Sequence, residues 1–267
     1  MSGSRSQPEA SFHDTWARGT ALEDIHVFQS FEHIAAQENR FILELMGDVA
    51  GQRILDVGAG LGESSVYFAL RGAQVTASDI SPVMLERCVA LARRYDVTIS
   101  TLEGAAEECS FGEGKYDIVY GANVLHHLVD LEAVLRKLRE ALVPEGRFFF
   151  YDPLHYNPAI RVYRRLATGV RSEGERPLAF SQLEIFERVF SEVHHREFWL
   201  TALLLFLKYF FVDRVHPNAD RYWKRMLRED EEALRRWFEP LLRLDQVLLR
   251  VPPLRYMAWN MVTWGQK

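Results

Sequence analysis

Arg53-Ile-Leu-Asp-Val-Gly-Ala-Gly-Leu-Gly62 decides how this chain is read. A short aliphatic strand runs into a glycine-rich turn, and an apolar-periodic segment (Ser65, Phe68, Ala69, Leu70) follows. That is the strand–turn–helix opening of a nucleotide-binding βαβ unit. The glycines permit positive φ and let the backbone approach a ligand where a Cβ would intrude. A dinucleotide fingerprint needs a third glycine at position 63, where this chain has Glu63. What stands here is G-x-G-x-G, with Asp56 two residues ahead of the first glycine. A second acidic residue, Asp79, closes the next strand, Ala73 to Asp79, where a carboxylate sits beside the glycine loop and accepts from ribose hydroxyls.

Working outward, S-D-I-S-P-V-M-L (78–85), Y-D-I-V-Y-G-A-N-V-L-H-H (116–127) and L-V-P-E-G-R (142–147) follow L-D-V-G-A-G-L-G (55–62) in order. With these four pieces, over roughly residues 40–152, the chain resembles the class I S-adenosylmethionine-dependent methyltransferases. It is similar in particular to their small-molecule group of the ubiquinone/menaquinone-biosynthesis type. The resemblance implies an α/β fold, a doubly wound, seven-stranded, mainly parallel Rossmann-like sheet with helical cap insertions, and S-adenosyl-L-methionine as cofactor. Its last strand would be antiparallel and inserted beside the sixth.

The composition leaves fewer classes open. At 267 residues and 48% apolar, the chain can bury one α/β domain with an insertion. A net charge of −5 and a pI near 6.0 argue against nonspecific nucleic-acid binding. Cys88 and Cys109 lack metal spacing and read as ordinary thiols of a cytoplasmic protein. The polar start, Met1 to Pro8, has no apolar segment of a secretory signal. Phe198 to Val212 is the longest apolar run, too short to span a membrane and interrupted by Lys208. It reads as buried strand and helix, with a lipid-like substrate wall or a peripheral membrane contact as the alternative. A monomer or homodimer acting on a small molecule is the expectation.

Strands are expected near 53–57, 74–79, 97–102, 116–121, 146–151, 192–200 and 256–264, and helices near 63–72, 81–95, 129–142 and 181–190. Ser81-Pro82 supplies an N-cap and first-turn proline, and Pro144-Glu-Gly146 a turn. Residues 1–46 form an N-terminal helical segment over the cofactor site, with 1–10 expected to be disordered. Residues 47–200 and 254–267 form the core, including a substrate insertion over 153–179. A helical cap occupies 201–253, where Trp223, Met226, Leu227, Leu234 and Trp237 share helical spacing over Arg221 to Phe238. Both insertions emerge at the carboxyl ends of the strands, where ligands bind.

The resemblance assigns cofactor contacts to Asp56, Gly58, Ala59, Gly60, Gly62 and Asp79, with Ile80 and Met84 as candidates for the adenine face or for the core. The loop Leu102 to Glu107 is expected to read the adenine edge, although the family often has an acid where Ala105 stands. Backbone groups of Ala105 and Ala106 would then act in its place, and Glu107 either joins them or caps the loop. Asn123 is expected beneath the methionine moiety. Four groups compete as general base: His127, His126, Asp152 and His155. Tyr156 is a candidate substrate hydrogen bond. Arg161 and Arg164, with Arg165, Arg171 and Arg176, make a basic stretch suited to an anionic head group or to a solvated helix face. No metal is expected. An NAD-dependent oxidoreductase is the alternative that Glu63 and Asp56 weigh against, and a non-catalytic S-adenosylmethionine-binding protein is the other.

Overall fold

The computed structural model describes residues 3–170 and 175–267. Three helices, α1 (Gly3–Gly19), α2 (Gln29–Glu32) and α3 (Gln37–Met46), precede the first strand. An alternating series follows: β1 (Arg53–Val57), α4 (Glu63–Leu70), β2 (Gln74–Asp79), α5 (Pro82–Arg94), β3 (Ser100–Glu103), β4 (Tyr116–Ala122), α6 (Leu131–Ala141) and β5 (Leu142–Pro153). Then come α7 (Pro158–Leu166), α8 (Leu183–Val189), β6 (Glu192–Phe198), α9 (Leu204–Leu207), α10 (Tyr222–Arg228), α11 (Glu231–Leu248), α12 (Pro252–Arg255) and β7 (Asn260–Gln266).

The seven strands form one sheet in the order β3-β2-β1-β4-β5-β7-β6. Pairs from β3 through β5 are parallel, and β7 runs antiparallel to both neighbours. Strand order reverses between β1 and β4, so a crevice opens at their carboxyl ends. Helices cover both faces, which explains why β1 and β4 are apolar nearly throughout rather than alternating. On one face Phe31 stacks on Tyr67 (4.2 Å between centroids) and meets Phe68 and Tyr120. On the other, Phe148 and Phe150 of β5 pack with Phe186 and Phe190. The Ser81 cap forms as expected, its Oγ accepting from Met84 N at 3.1 Å, with Pro82 at the first helical position.

The elements differ from the sequence reading in five places. Residues 3–10 belong to α1 instead of being disordered, because this helix buries Ala17 and packs against α5. The third strand begins at Ser100, since Asp96 takes positive φ and Val97 N–H still closes α5 onto Ala92. The Pro144–Gly146 turn lies inside β5 as an irregularity, with Glu145 at φ +65° and the register stepping between Tyr116↔Leu142 and Ile118↔Arg147. The last strand starts at Asn260, because α12 and the turn after it occupy Pro252 to Ala258. The helix expected over Arg221 to Phe238 breaks at Glu229-Asp230, where Asp230 caps α11 through Ala233 N–H. That break shifts the phase, burying Phe238 and leaving Trp237 76% exposed.

In the apolar run after β6, Leu205, Phe206 and Tyr209 are buried while Leu204, Leu207, Phe211 and Val212 face outward. No helix among the described residues is long and apolar enough to cross a membrane.

The glycine loop is held by close packing as well as by its dihedrals. A Cβ on Gly62 (φ +93°) would lie 2.5 Å from Cys88 Sγ and 2.9 Å from Cys88 Cα, so α5 approaches the loop only because position 62 lacks one. Gly60 (φ +55°) has nothing within 4 Å of the corresponding point. Gly62→Ala is therefore expected to destabilise by about 2–4 kcal/mol and Gly60→Ala by about 1 kcal/mol, measured by urea unfolding.

Candidate active site

The loop after β1 is fastened to β2. Gly58 and Ala59 N–H groups donate to Ser78 O at 2.8 and 3.0 Å. Gly60 N–H donates to Asp79 Oδ2 at 2.9 Å, and Ser81 N–H to Asp79 Oδ1 at 2.9 Å. Burial raises the Asp79 pKa, partly offset by those two backbone donors and by His13 and His127. Each oxygen keeps lone pairs for a further donor, since an ionised carboxylate accepts about four bonds.

Asp79 opens onto a cavity of about 1060 Å³. Gly58, Ala59, Gly60, Ile80, Ala105, Ala106, Glu107, Asn123, His126, His127 and Arg164 share its wall, so the structure brings together most of the residues singled out from the sequence. Asn123 holds φ +54° while its N–H donates to Tyr151 O at 2.8 Å, turning the chain off the end of β4. Glu107 Oε1 accepts from Val129 N–H at 2.9 Å, which ties its side chain to the neighbouring loop. Arg164 Nη2 lies 3.0 Å from Glu175 Oε2 and so is engaged by a carboxylate of the same wall.

Seven expected residues lie elsewhere. Asp56 sits under the loop, where Ser64 and Ser65 Oγ each donate to its Oδ2 at 2.6 Å. Gly62 faces Cys88, and Met84 is fully buried in the core behind the cavity. Asp152 is also fully buried and reaches the cavity only through His126. His155 and Tyr156 point to a separate aromatic cluster, Tyr156 stacking on Phe180 and meeting Tyr256 edge-on. Arg161 is exposed and donates from Nε to His155 O. Arg171 lies outside the described residues.

The adjacent histidines have opposite environments. His126 Nδ1 is 2.7 Å from Asp152 Oδ1, which also accepts the His126 backbone N–H at 3.1 Å. Burial lowers the His126 pKa despite Asp152, so its imidazole is neutral near pH 7. With Nδ1–H donating to Asp152, Nε2 is the basic nitrogen. Burial also opposes charge on His127, but its bond to Glu9 prevails and the pKa is raised. His127 Nδ1 lies 2.7 Å from Glu9 Oε1, and His13 Nε2 lies 3.1 Å from the same oxygen. The Glu9–His127 contact ties α1 to the loop after β4, while the Glu9–His13 pair lies within α1, and together the three residues bring ligand-type atoms within 4.8 Å of one another.

Several cavity groups escaped the sequence reading. Lys224 of α10 and Arg221 just before it lie over the Trp16 ring at 4.7 and 4.0 Å, and Lys224 Nζ is 3.5 Å from Glu63 Oε1. Burial lowers the pKa of Lys224. Glu9, His13 and Trp16 do follow helical spacing, which could have shown one face of α1 turned inward. Glu38, Trp199 and Asn260 carry no local signal at all.

Residues 55–150 match the family model described as "Methyltransferase domain". Over this stretch the chain is similar to a methyltransferase domain. Among curated proteins, the ubiquinone biosynthesis O-methyltransferase of Azotobacter vinelandii is 30% identical over 154 residues, 56% of this chain and 62% of that one. The sarcosine/dimethylglycine N-methyltransferase of Halorhodospira halochloris is 31% identical over 142 residues, 49% of this chain and 51% of that one. The chain spans about half the length of the curated relatives it matches. A solved S-adenosylmethionine-dependent methyltransferase from Mesorhizobium loti superposes with a TM-score of 0.56 at 17% identity, covering 86% of this chain and 97% of that one, a likeness of fold. The antiparallel strand expected beside the sixth is present as β7.

Asp56 gives the domain a pH signature. Burial pushes its pKa up to about 6, with Ser64 and Ser65 pulling the other way. A raised carboxyl pKa favours the protonated form in the folded state, so this contribution is greatest below about pH 4 and is lost as pH rises through about 6. Wild type is expected to lose on the order of 3 kcal/mol over that interval relative to Asp56→Asn, compared by urea unfolding at several pH values.

Proposed function

We propose that the protein is an S-adenosylmethionine-dependent methyltransferase that methylates an oxygen on a small, largely apolar metabolite. The observation that carries this reading is the neutral His126, held by buried Asp152 on the wall of the cavity onto which the Asp79–glycine-loop unit opens. The residues present fit the cofactor. Asp79 retains acceptor capacity for a ribose diol, and the glycine loop presents backbone without side chains. On this reading Ile80, Ala105 and Ala106, all on the cavity wall, flank adenine, and Asn123 of the same wall faces the methionine half. S-adenosylmethionine, when bound, supplies an electrophilic methyl group with its own leaving group.

This chain's side chains then align the acceptor and take a proton. His126 Nε2 is placed to accept the proton of a hydroxyl as that oxygen is methylated. Asp152 fixes the tautomer and stabilises the imidazolium that forms, as a buried carboxylate does for histidine elsewhere. Trp16, Trp223 and Leu227, from α1 and α10, cover the site and reduce water access. The same covering favours a small acceptor over a macromolecule. His155, Tyr156 and Arg161 have no part in this reading, because none lines the cavity.

Titration calorimetry with S-adenosylmethionine, S-adenosylhomocysteine and NAD, followed by a labelled-methyl screen of phenols, hydroxylated lipids and amines, tests the proposal. The first two ligands are expected to bind, and Asp79→Asn to weaken both by about 10- to 100-fold. His126→Gln is expected to lower kcat by about 10²–10⁴-fold while sparing cofactor affinity, with Asp152→Asn acting in the same direction. Tight NAD binding would favour the oxidoreductase, and cofactor binding without any labelled product the non-catalytic reading.

A further inference from the structure

The far end of the cavity holds a polar cluster that methyl transfer leaves without a task. Glu38, in the first turn of α3, is 6% exposed and lines the cavity. Trp199 Nε1 donates to Glu38 Oε1 at 2.7 Å, and Asn260 Nδ2 donates to the same oxygen. Two donors on one oxygen require an acceptor there, which a carboxylate oxygen or the carbonyl oxygen of a carboxyl group supplies, and a cationic donor would favour the carboxylate. Burial pushes the Glu38 pKa up and these donors offset it only in part; among the described residues, no cationic side chain acts on it. Asn260 Oδ1 is buried on the same wall without a hydrogen-bond partner among the described residues. Exchanging its amide atoms would set that oxygen against the carboxylate, so the orphan is not a matter of orientation.

A buried carboxylate without a cation and an unpartnered amide oxygen are each unfavourable unless a ligand donates to them. An ammonium group can donate to both and neutralise the charge. Around the cluster, Trp199, Trp259, Tyr151 and Phe31 face the cavity, and Trp199 meets Trp259 with 5.7 Å between centroids. Such rings attract cations through their faces.

The cluster's place in the sheet separates it from the ribose acid Asp79. Asn260 pairs with Pro153 of β5 and Phe198 of β6. From β2, which carries Asp79, to β7 there are four strand spacings in the sheet order, about 19 Å at ~4.8 Å each. Pro153 follows Asp152, the partner of His126, so the cluster adjoins the base rather than the ribose site.

We propose that Glu38, Asn260 and Trp199 form a subsite for an ammonium group of the methyl acceptor, making the substrate a hydroxylated amine with an apolar body. Calling the ligand a methyl acceptor rests on the methyltransferase reading; the ammonium preference does not. Calorimetry on the full chain at pH 7.5, with and without saturating S-adenosylhomocysteine, compares tyramine with 4-ethylphenol and octylamine with 1-octanol. In each pair one member carries the ammonium and the other is neutral. Wild type is expected to bind each amine at least about tenfold more tightly, and Glu38→Gln to abolish that preference while binding S-adenosylhomocysteine normally. Glu38→Asp, which retracts the charge by one methylene, is expected to reduce the preference and serves if the Gln variant does not fold.

Equal binding within both pairs by wild type, or a preference that survives Glu38→Gln, would overturn the proposal. A tenfold loss of S-adenosylhomocysteine affinity in Glu38→Gln would assign the carboxylate to the cofactor's own ammonium and overturn the acceptor assignment. Failure of wild type to bind S-adenosylhomocysteine would instead defeat the methyltransferase reading, with the amine preference still measured on the protein alone.

Discussion

The site is organised by the bond from Gly60 N–H to Asp79 Oδ2. It joins the loop after β1 to the end of β2, while the other Asp79 oxygen holds the start of α5 through Ser81 N–H. A carboxylate nine-tenths buried is unfavourable by itself, and the two backbone donors are what make it tolerable. The loop in turn depends on Gly62, because the same helix could not approach a Cβ there. Strand, loop, helix and ligand-facing acid are therefore one unit, and changes to any of them propagate to the others.

That unit was legible in the sequence because all of its parts are local. The glycine spacing, the acid at a strand end and the Ser-Pro cap each act within a few residues. Long-range placement was much less legible. Met84 and Tyr156 stand beside expected ligand residues, yet helix phase and the turn after β5 send them into separate apolar clusters. Glu38, Trp199 and Asn260 meet only because β7 is inserted between β5 and β6, opposite α3. No spacing rule joins positions so far apart. The broken cap helix is intermediate: Asp230 is a recognisable N-cap, and reading it as a new start would have placed Phe238 inward and Trp237 outward.

The pair His126-His127 shows how one dipeptide receives two protonation preferences. His126 is buried against Asp152, and the cost of desolvating an imidazolium exceeds the attraction. His127 is less enclosed and gains Glu9 from α1, so its charged form wins. The sequence offered both as bases because their types are identical and only tertiary neighbours distinguish them. His127 is thereby engaged with α1, and His126 Nε2 is the nitrogen that the proposed reaction uses.

Closure of the cavity rests on unequal supports. The N-terminal half of α1 is held near the site by the Glu9 pair with His127, a partly exposed contact worth on the order of 1 kcal/mol or less. Farther along, Ser81 Oγ donates to Asp14, and Arg221 and Lys224 sit over Trp16. The α10 side is anchored more deeply, with Tyr222 and Met226 each 1% exposed in the core. Lifting the start of α1 disturbs the Glu9–His127 pair, whereas moving α10 would expose two large apolar side chains at about 1.5–3 kcal/mol each. The cheaper motion opens the wall that carries Glu9 and His13, beside His127. Opening on that side would expose the glycine loop and His126, the groups used by the proposed reaction, without disturbing the buried Glu38–Trp199–Asn260 end.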